Sequence, residues 1–411
     1  MSATDSQAAP PLRTTALHAA HVSLGALMVN FGGWEMPLWY PSGAVKEHLA
    51  VLTGAGLFDT SHMSVFLIRG AGVRDFLNYA LTRDISALPE ERAGYSLILD
   101  ASGCAVDDTI VYPLDKERFA LVVNAGMSGS VIAHLRDLPG GKAFAFTDLT
   151  GTCAKVDIQG PAACRILRQY VAGDLFAKFP YFSFRGDFDF SSTPARLTDG
   201  TPVLISRTGY TGEQGFEIFL PADQASALWA RLLEGGASHG LIPCGLAARD
   251  SLRVGAVLPL SHQDIGPWPF INTPWSFALP LDPAGAFTKD FMGRGGLDPA
   301  TADHTLPFVG FDPRKVERRE ARVLLHGAEA GTVLTAVADM GIGRVDGKVL
   351  GLACADKPRG WRPRGLVCGF VKVRQPLPAG TIVLLKDSRR EIPVEISLDI
   401  RPGRTARKAL Q

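Results

Sequence analysis

The chain of 411 residues carries 42 basic and 41 acidic side chains, so its charge gives no case for binding nucleic acid or an anionic membrane. No apolar run reaches the ~18 residues that a membrane span requires. The six cysteines are spread without a C-x-x-C pair, which argues against a disulfide framework or a structural zinc site and predicts a cytoplasmic location.

The first eighty or so residues alternate short predicted helices and strands. Residues 1–11 predict a loose tail, because no basic segment leads into an apolar one as it does in a signal peptide. His18 and His21 lie in a predicted helix without a carboxylate ligand beside them in the sequence, so we predict no metal site. The further elements expected here are a strand and glycine turn at 28–37, a helix at 44–55, a loop at 57–63, a strand at 65–68 and a helix at 72–81.

Two strands of a predicted β-meander follow, at 103–112 and 119–124, each bounded by turn residues. Because side chains alternate along a strand, Asp108 lies on the more apolar face, whereas Asp107, between Ala and Thr, requires no special explanation. A carboxylate with apolar neighbours must be paired or have its pKa raised by desolvation, and either condition suits a group that handles protons or cations. The alternative is that both acids lie at a solvated strand edge.

A strand, turn and helix at 153–171 repeat the order seen at 65–77, which predicts two related α+β subdomains. The stretch 203–220 is predicted as strand, glycine-rich loop and strand. Its glycines match neither G-x-G-x-x-G nor a P-loop, so we predict no phosphate cradle. Glu217 stands in a strand of otherwise apolar residues, where the plain interpretation is a solvated outer face.

A helix predicted at 246–253 places Arg249 and Arg253 four residues apart on one face, where the plain interpretation is a pair of solvated surface arginines. Residues 258–280 are rich in Pro, Trp and His and predict an ordered, packed loop.

The character of the chain changes after about residue 305. Six short β-like runs, separated by turn residues, predict a small all-β barrel or sandwich. We therefore expect two regions, an α+β region at 12–300 with two interleaved subdomains and a C-terminal β-barrel domain at 301–411.

Six motifs, taken in order, resemble those of the glycine cleavage system T-protein family. They are FGGWEMP at 31–37, FDTSHM at 58–63, DDTIVY at 107–112, VVNA at 122–125, GYTGEQGFE at 209–217 and GLAARDSLR at 245–253. The resemblance extends from about residue 14 to the end of the chain. It implies a three-domain, cloverleaf-like fold around a central folate site, and tetrahydrofolate as the one-carbon acceptor.

Carried over position by position, the resemblance implies roles for individual side chains. Asp108 corresponds to the family's key acid beside the reactive folate nitrogens, in agreement with the alternation argument. A carboxylate at Glu217 suits the adjacent N–H donors of a pterin edge, which one carboxylate can accept together. The folate-site residues that the resemblance implies are Met63, Tyr112, Asn124, Tyr210, Glu217, Arg249 and Arg401.

In the T-protein reaction, an aminomethyl group on the lipoyl arm of the H-protein passes to tetrahydrofolate. Ammonia, the dihydrolipoyl protein and methylenetetrahydrofolate result. The resemblance therefore implies an aminomethyltransferase with lipoylated H-protein as partner. Asp108 is expected to stabilise positive charge on the transferring carbon or to move a proton.

Parts of the family pattern are not matched. Gly255 stands where the family has a glutamate, and His262, Trp275, Ser276 and Phe277 depart from it where the donor entrance is expected. Relatives of this fold remove methyl groups from oxygen, sulfur or nitrogen, so a tetrahydrofolate-dependent demethylase acting on a methylated small molecule is the alternative. A folate-binding protein without turnover is disfavoured, because the Lys-Gly-Cys-Tyr motif of that branch is absent.

Overall fold

The computed structural model describes residues 11–410, so nearly all of the tail predicted at 1–11 lies outside the described residues. The chain up to residue 255 is of the α+β class. Its elements are α1 (His18–Ser23), β1 (Leu27–Phe31), β2 (Trp34–Trp39), α2 (Ala44–Thr53), β3 (Ala55–Asp59), β4 (Ser64–Arg69), α3 (Val73–Ala80), β5 (Gly94–Leu99), β6 (Ala105–Pro113), β7 (Arg118–Val123), α4 (Ser128–Asp137), β8 (Ala145–Asp148), β9 (Cys153–Gln159), α5 (Ala163–Leu167), β10 (Phe184–Gly186), β11 (Leu204–Ser206), β12 (Gly215–Pro221), α6 (Ala225–Gly236), β13 (Leu241–Pro243) and α7 (Leu246–Gly255).

Two sheets organise this region. Strands β5, β6, β7, β4 and β8 form a five-stranded sheet in that order, and strands β10, β11, β12, β9, β3 and β13 form a six-stranded one. In the first sheet β4 has a strand on each side and leads through a glycine turn into α3. In the second sheet β9 likewise has two neighbours and leads through a glycine turn into α5. The repeated unit confirms the two related α+β subdomains expected from the sequence.

The C-terminal part forms a closed barrel. Its strands, together with a small hairpin made of β17 and β18, are β14 (His304–Gly310), β15 (Arg322–Leu325), β16 (Ala328–Asp339), β17 (Ile342–Val345), β18 (Lys348–Gly351), β19 (Leu366–Val373), β20 (Ile382–Lys386) and β21 (Glu391–Ile396). The barrel order is β14, β19, β16, β15, β20, β21, and it closes because β14 pairs with β19 on one side and with β21 on the other. The six β-like runs expected from the sequence coincide with these six strands, and the closure selects a barrel over a sandwich.

Residues 57–59 of the loop predicted at 57–63 belong to a strand. All five residues of β3 are buried, and β3 pairs antiparallel with β9 and parallel with β13. Gly56 in this strand lies in close packing, because a Cβ there would be 2.5 Å from Val51 Cγ2 and 2.7 Å from Cys244 Sγ. The loop prediction was wrong for 57–59, because pairing with strands on both sides makes these residues part of an internal strand, and it was confirmed for 60–63.

Helix α7 joins the sheets to the barrel, packing against α2, β2 and the barrel strands β16 and β19. Arg253 on this helix is fully buried and forms an ion pair with Asp264, so the interpretation of Arg253 as a surface arginine was wrong. Asp264 also accepts hydrogen bonds from the Leu260 backbone N at 3.0 Å and from Thr335 Oγ1 at 2.6 Å. These contacts hold the first part of the loop at 258–280, around residues 260–264, against α7 and the barrel. No helix among residues 11–410 is both long enough and apolar enough to cross a membrane.

Candidate active site

A cavity of about 960 Å³ lies where β6, β7, β12, helix α7 and the start of the 258–280 loop meet. This volume is near the upper end of the roughly 300–1,000 Å³ that small-molecule sites occupy in proteins. Barrel residues complete the wall on one side. Six of the residues expected from the sequence line it, namely Met63, Asp108, Asn124, Tyr210, Glu217 and Arg249.

Asp108 on β6 presents its carboxylate to the cavity. Oδ2 accepts a hydrogen bond from the Tyr95 hydroxyl at 2.9 Å, and Oδ1 accepts one from Asn124 Nδ2 at 2.5 Å. Burial raises the pKa of Asp108 to about 7, and the charge of Asp107 contributes to the rise, while the hydrogen bonds from Tyr95 and Asn124 act in the opposite direction. Near neutral pH this acid is therefore poised between its charged and neutral forms.

Asp107, the neighbouring residue, is more buried than the sequence suggested. Its side chain is fully buried, and it accepts hydrogen bonds from the Asn124 backbone N at 2.9 Å and from Asn124 Nδ2 at 2.7 Å. The expectation that Asp107 requires no special explanation was wrong. Asn124 follows β7 directly, and its side-chain amide reaches the carboxylates of both Asp107 and Asp108 on β6. This one amide therefore links the two acids.

Glu217 on β12 belongs to a buried network of charges. Its Oε1 accepts from Lys155 Nζ at 2.5 Å, and its Oε2 accepts from the Thr208 hydroxyl. Lys155 Nζ also donates to Asp157 Oδ1 at 2.9 Å, and Asp157 Oδ2 accepts from Arg249 Nη1 at 3.0 Å. Glu217 is thus a paired, buried acid, and the interpretation of a solvated outer face was wrong.

Lys155 and Asp157 were missed in the sequence. They lie two residues apart on β9, so alternation brings both to one face, where β9 is paired with β12 and β3. The available signal was the strand pattern of Lys155, Asp157 and Gln159 at every second position between apolar residues. The structure buries every residue of this strand. Such a stripe in a buried strand requires internal partners.

Tyr210 and Arg249 form a second part of the wall. The Arg249 guanidinium lies 4.8 Å from the centroid of the Tyr210 ring, and the Tyr210 hydroxyl donates to the Pro259 carbonyl. Burial raises the pKa of Tyr210 far above neutrality, so the phenol stays protonated. The result is a fixed aromatic face with a cation stacked against it.

His62 contributes a buried imidazole to the cavity wall. Its Nδ1 is buried and has no hydrogen-bond partner among residues 11–410, and its ring packs edge-on against Phe31 at 5.4 Å. Burial lowers the pKa of His62 to about 4; the charge of Asp59 opposes this shift, and Arg249 and Lys155 reinforce it. A neutral imidazole with an unused polar atom is the kind of group that a bound ligand satisfies.

Two of the residues expected in the site do not line the cavity. Tyr112 is fully buried, with its ring edge-on against three phenylalanines and its hydroxyl donating to Ser206 Oγ at 3.4 Å. Arg401 is also buried, and its Nη1 donates to Asp339 Oδ2 at 2.7 Å while its Nη2 donates to the Leu252 carbonyl at 3.3 Å. Both side chains lie behind the wall and make their polar contacts with protein groups.

The residues that depart from the family pattern fall into two groups, those that line the cavity and those that do not. His262 and Phe277 line the cavity, and both are exposed. Trp275 is fully buried in the core, where its Nε1 donates to the Val257 carbonyl at 2.8 Å. It therefore does not lie at the donor entrance, where the sequence had placed it. Ser276 is exposed at the start of a short 3₁₀ turn, outside the cavity wall.

Comparison with known proteins agrees with this architecture. Residues 17–268 match the family described as "GCVT N-terminal domain". The chain is 41% identical to the aminomethyltransferase of Desulfitobacterium hafniense over 257 residues, which are 62% of this chain and 67% of that protein. It is 38% identical to the aminomethyltransferase of Symbiobacterium thermophilum over 331 residues, 79% of this chain and 85% of that protein.

A solved structure extends the similarity to nearly the whole chain. The crystal structure of the glycine cleavage system aminomethyltransferase T of Bartonella henselae superposes with a TM-score of 0.77 at 27% identity, and the match covers 97% of this chain and 100% of that one. The fold, the cavity with its desolvated acid and these relatives together define a transferase enzyme. The chain belongs to the GCVT family, whose matched relatives are aminomethyltransferases, the T-proteins of the glycine cleavage system.

Proposed function

We propose that this chain passes the aminomethyl carbon of lipoylated H-protein to tetrahydrofolate with release of ammonia. The observation that carries the proposal is the Asp108 carboxylate, which faces the cavity with a raised pKa and is held by Tyr95 and Asn124. As an anion, Asp108 stabilises positive charge that develops on the transferring carbon. Because its pKa is near neutrality, the same carboxylate can also receive a proton from a folate nitrogen.

The reaction also requires a site for the pterin ring of tetrahydrofolate, and we assign this role to Glu217. Each oxygen of this carboxylate accepts one hydrogen bond from the protein, and a carboxylate has about four acceptor positions. Glu217 therefore retains the capacity to accept two N–H groups from the amino-pyrimidine edge of a pterin. The unpartnered Nδ1 of His62 in the same wall supports a polar ligand there.

The remaining folate contacts are assigned to side chains that line the cavity. Asn124 orients Asp108, Tyr210 offers an aromatic face, and Met63 an apolar one. Arg249 supplies a guanidinium that can hold a carbonyl or carboxylate oxygen of the folate. In this proposal Tyr112 and Arg401 act indirectly, because they pack behind the wall and hold it in place. Direct contact of either side chain with folate stays a prediction.

The donor is assigned to the apolar mouth of the cavity. Trp39, Val45 and Phe277 line the cavity and are also exposed to solvent. A lipoyl arm is largely hydrocarbon, so contact with these side chains removes apolar surface from water on both partners. The H-protein would then remain outside while its arm reaches the carboxylate of Asp108.

The division into domains and the cellular location are also proposals. We propose that the chain divides into a folate-binding region at 12–300 and a barrel domain at 301–411, with the cavity at their junction. We also propose a cytoplasmic location, which is supported by the six cysteines that are all free in the structure.

The proposal is tested with purified protein, lipoylated H-protein loaded with the aminomethyl group, and tetrahydrofolate. Ammonia and methylenetetrahydrofolate should form in equal amounts, and omission of either substrate should abolish both products. Methyltetrahydrofolate formed from a methylated small molecule, without ammonia, would instead identify a demethylase and contradict the proposal.

A further inference from the structure

His262 lies at the mouth of the cavity beside the paired carboxylates. Its side chain is 52% exposed, and its Nε2 lies 3.6 Å from Asp107 Oδ1. Asp107 and Asp108 are linked in turn by the Asn124 amide, which donates to both. The imidazole therefore lies beside Asp107, whose carboxylate shares the Asn124 amide with Asp108, and its exposure allows it to exchange protons with solvent.

The backbone at His262 is unusual for a residue with a side chain. Its φ is +61°, in the left-handed region that glycine adopts without strain. Strained backbone that persists at a cavity is held by the surrounding structure and is commonly part of the mechanism. His262 combines this backbone with a place in the cavity wall, which His326, the other histidine with positive φ among residues 11–410, does not.

The loop that carries His262 is anchored on both sides. The Asp264 backbone N donates to the Leu260 carbonyl at 2.8 Å, and the Asp264 carboxylate accepts a hydrogen bond from the Leu260 backbone N at 3.0 Å. Asp264 is ion-paired with the buried Arg253. Because its flanking residues are fixed, the imidazole is presented to the cavity from a rigid turn.

We propose that His262 is the general acid of the reaction and donates a proton to the amine nitrogen that leaves as ammonia, while the charge of Asp107, 3.6 Å from its Nε2, stabilises the protonated ring. This inference rests on the proposed aminomethyl transfer and adds the proton donor to it. Asp107 acts on Nε2, so Nδ1 is the nitrogen that carries the mobile proton. A carboxylate near one nitrogen of an imidazolium favours the charged ring and leaves the other nitrogen to donate its proton.

The step balances with the substrates already named. A folate nitrogen bonds to the methylene carbon, the bond from that carbon to the amine breaks, and its electron pair stays on the amine nitrogen. His262 gives one proton to this nitrogen, which leaves as NH₃. The second folate nitrogen then bonds to the same carbon while the bond from that carbon to the lipoyl sulfur breaks, and the electron pair of that bond stays on sulfur. Tetrahydrofolate loses two N–H protons over the whole reaction, of which one restores the imidazolium and the other ends on the lipoyl sulfur as a thiol. No oxidant or reductant is required.

The charges around His262 favour the protonated ring. Asp107 raises the pKa of His262, partial burial opposes this shift, and Asp108 adds to the rise. Asp264 in the same loop is neutralised by Arg253. The imidazole is thus protonated to a higher pH than an ordinary histidine, as a proton donor at neutral pH requires.

The test uses the full chain with loaded H-protein and tetrahydrofolate, and compares His262→Gly and His262→Gln with wild type. Glycine suits the left-handed backbone, so His262→Gly should fold at least as well as wild type. We expect kcat for ammonia release to fall about 100-fold in both variants, within the range for loss of a general acid. The decline of kcat at alkaline pH, where His262 loses its proton, should disappear, and added imidazole should partly restore the rate of His262→Gly.

His326→Gly is the matched control, because His326 is also an exposed histidine with positive φ, at 52°, but lies outside the cavity wall. Its rate and pH profile should equal those of wild type. Wild-type rate and an unchanged alkaline decline in His262→Gly, with ammonia still released by wild type, would overturn this inference alone. Absence of ammonia from the wild-type enzyme would overturn both the proposed function and this inference.

Discussion

Asp339, the last residue of barrel strand β16, fills the space against helix α7 that a side chain at Gly255 would occupy. A Cβ on Gly255 would lie 2.0 Å from Asp339 Oδ2 and 2.4 Å from Arg401 Nη1. The same Asp339 carboxylate accepts from His48 Nε2 at 2.8 Å, so it joins α2 to the barrel and to the C-terminal segment. The glutamate of the family motif at position 255 has no room beside this ion pair.

Gly255→Ala should therefore destabilise the protein. The added methyl group must displace the buried Asp339–Arg401 pair, and we expect a loss of about 3 kcal/mol in the free energy of unfolding. Urea denaturation measures this change. Gly129→Ala is the control, because Gly129 lies in α4 with open space where the added methyl group would stand, and it should gain up to ~1 kcal/mol. Equal stability of the two variants would contradict the account.

Asp108 should lower stability above neutral pH. Its pKa is about 7 in the folded protein against an ordinary value of 3.8, so between these values the folded state keeps a proton that the unfolded state has lost. The contribution of Asp108 to stability thus falls as pH rises through this window and stays low above it. Asp108→Asn cannot ionise, so its melting temperature should rise relative to wild type as pH increases from about 4 to about 8. A difference between the two proteins that does not change with pH would argue against a raised pKa.

Glu217→Gln should weaken folate binding without unfolding the protein. Lys155 keeps Asp157 as a partner, and Asp157 keeps Arg249, so each buried cation remains paired. Loss of one charged acceptor should raise the dissociation constant of tetrahydrofolate by about 10- to 100-fold, measured by calorimetry.

Lys155→Met separates this effect on binding from the structural role of the network. It leaves the carboxylates of Asp157 and Glu217 buried without their shared cation, and it should cost roughly 3–5 kcal/mol in the free energy of unfolding. If Glu217→Gln binds tetrahydrofolate as tightly as wild type, Glu217 does not contact the folate.

Tyr112→Phe should leave both folding and folate affinity almost unchanged. The ring stays packed against its phenylalanine neighbours, and only the long 3.4 Å contact to Ser206 Oγ is lost. We expect less than about 1 kcal/mol in stability and an unchanged Michaelis constant for tetrahydrofolate, measured by steady-state kinetics. A large rise in that constant would show that the hydroxyl reaches the ligand directly.

Local patterns were sufficient to single out Asp108, although the structure buries the strand face of Asp107, Thr109 and Val111 more deeply than the face of Asp108. Alternation along β6 picked out Asp108, because a carboxylate among apolar side chains requires a partner or a cavity wherever the strand is placed. The six barrel strands were equally visible, since each is a short apolar run between turn residues. Glu217 was noticed for the same reason, but the pattern favoured a solvated outer face, whereas the structure buries Glu217 in a network of charges.

Features that depend on contacts between distant strands were not visible in the sequence. The pairing of Lys155 with Glu217 joins residues 62 positions apart, and only the register of β9 against β12 brings them together. The burial of Asp107 depends on Asn124 reaching across from β7, and Trp275 is turned into the core by packing that a loop sequence does not encode. Sequence spacing carries no information about these approaches.

The most direct measurement is the rate of ammonia release by Asp108→Asn, with loaded H-protein and tetrahydrofolate at saturating concentrations. The substitution keeps the shape of the side chain and removes its charge, so we expect a loss of at least about 100-fold in kcat while tetrahydrofolate still binds. An Asp108→Asn enzyme that releases ammonia at the wild-type rate would contradict the claim that this carboxylate drives the transfer.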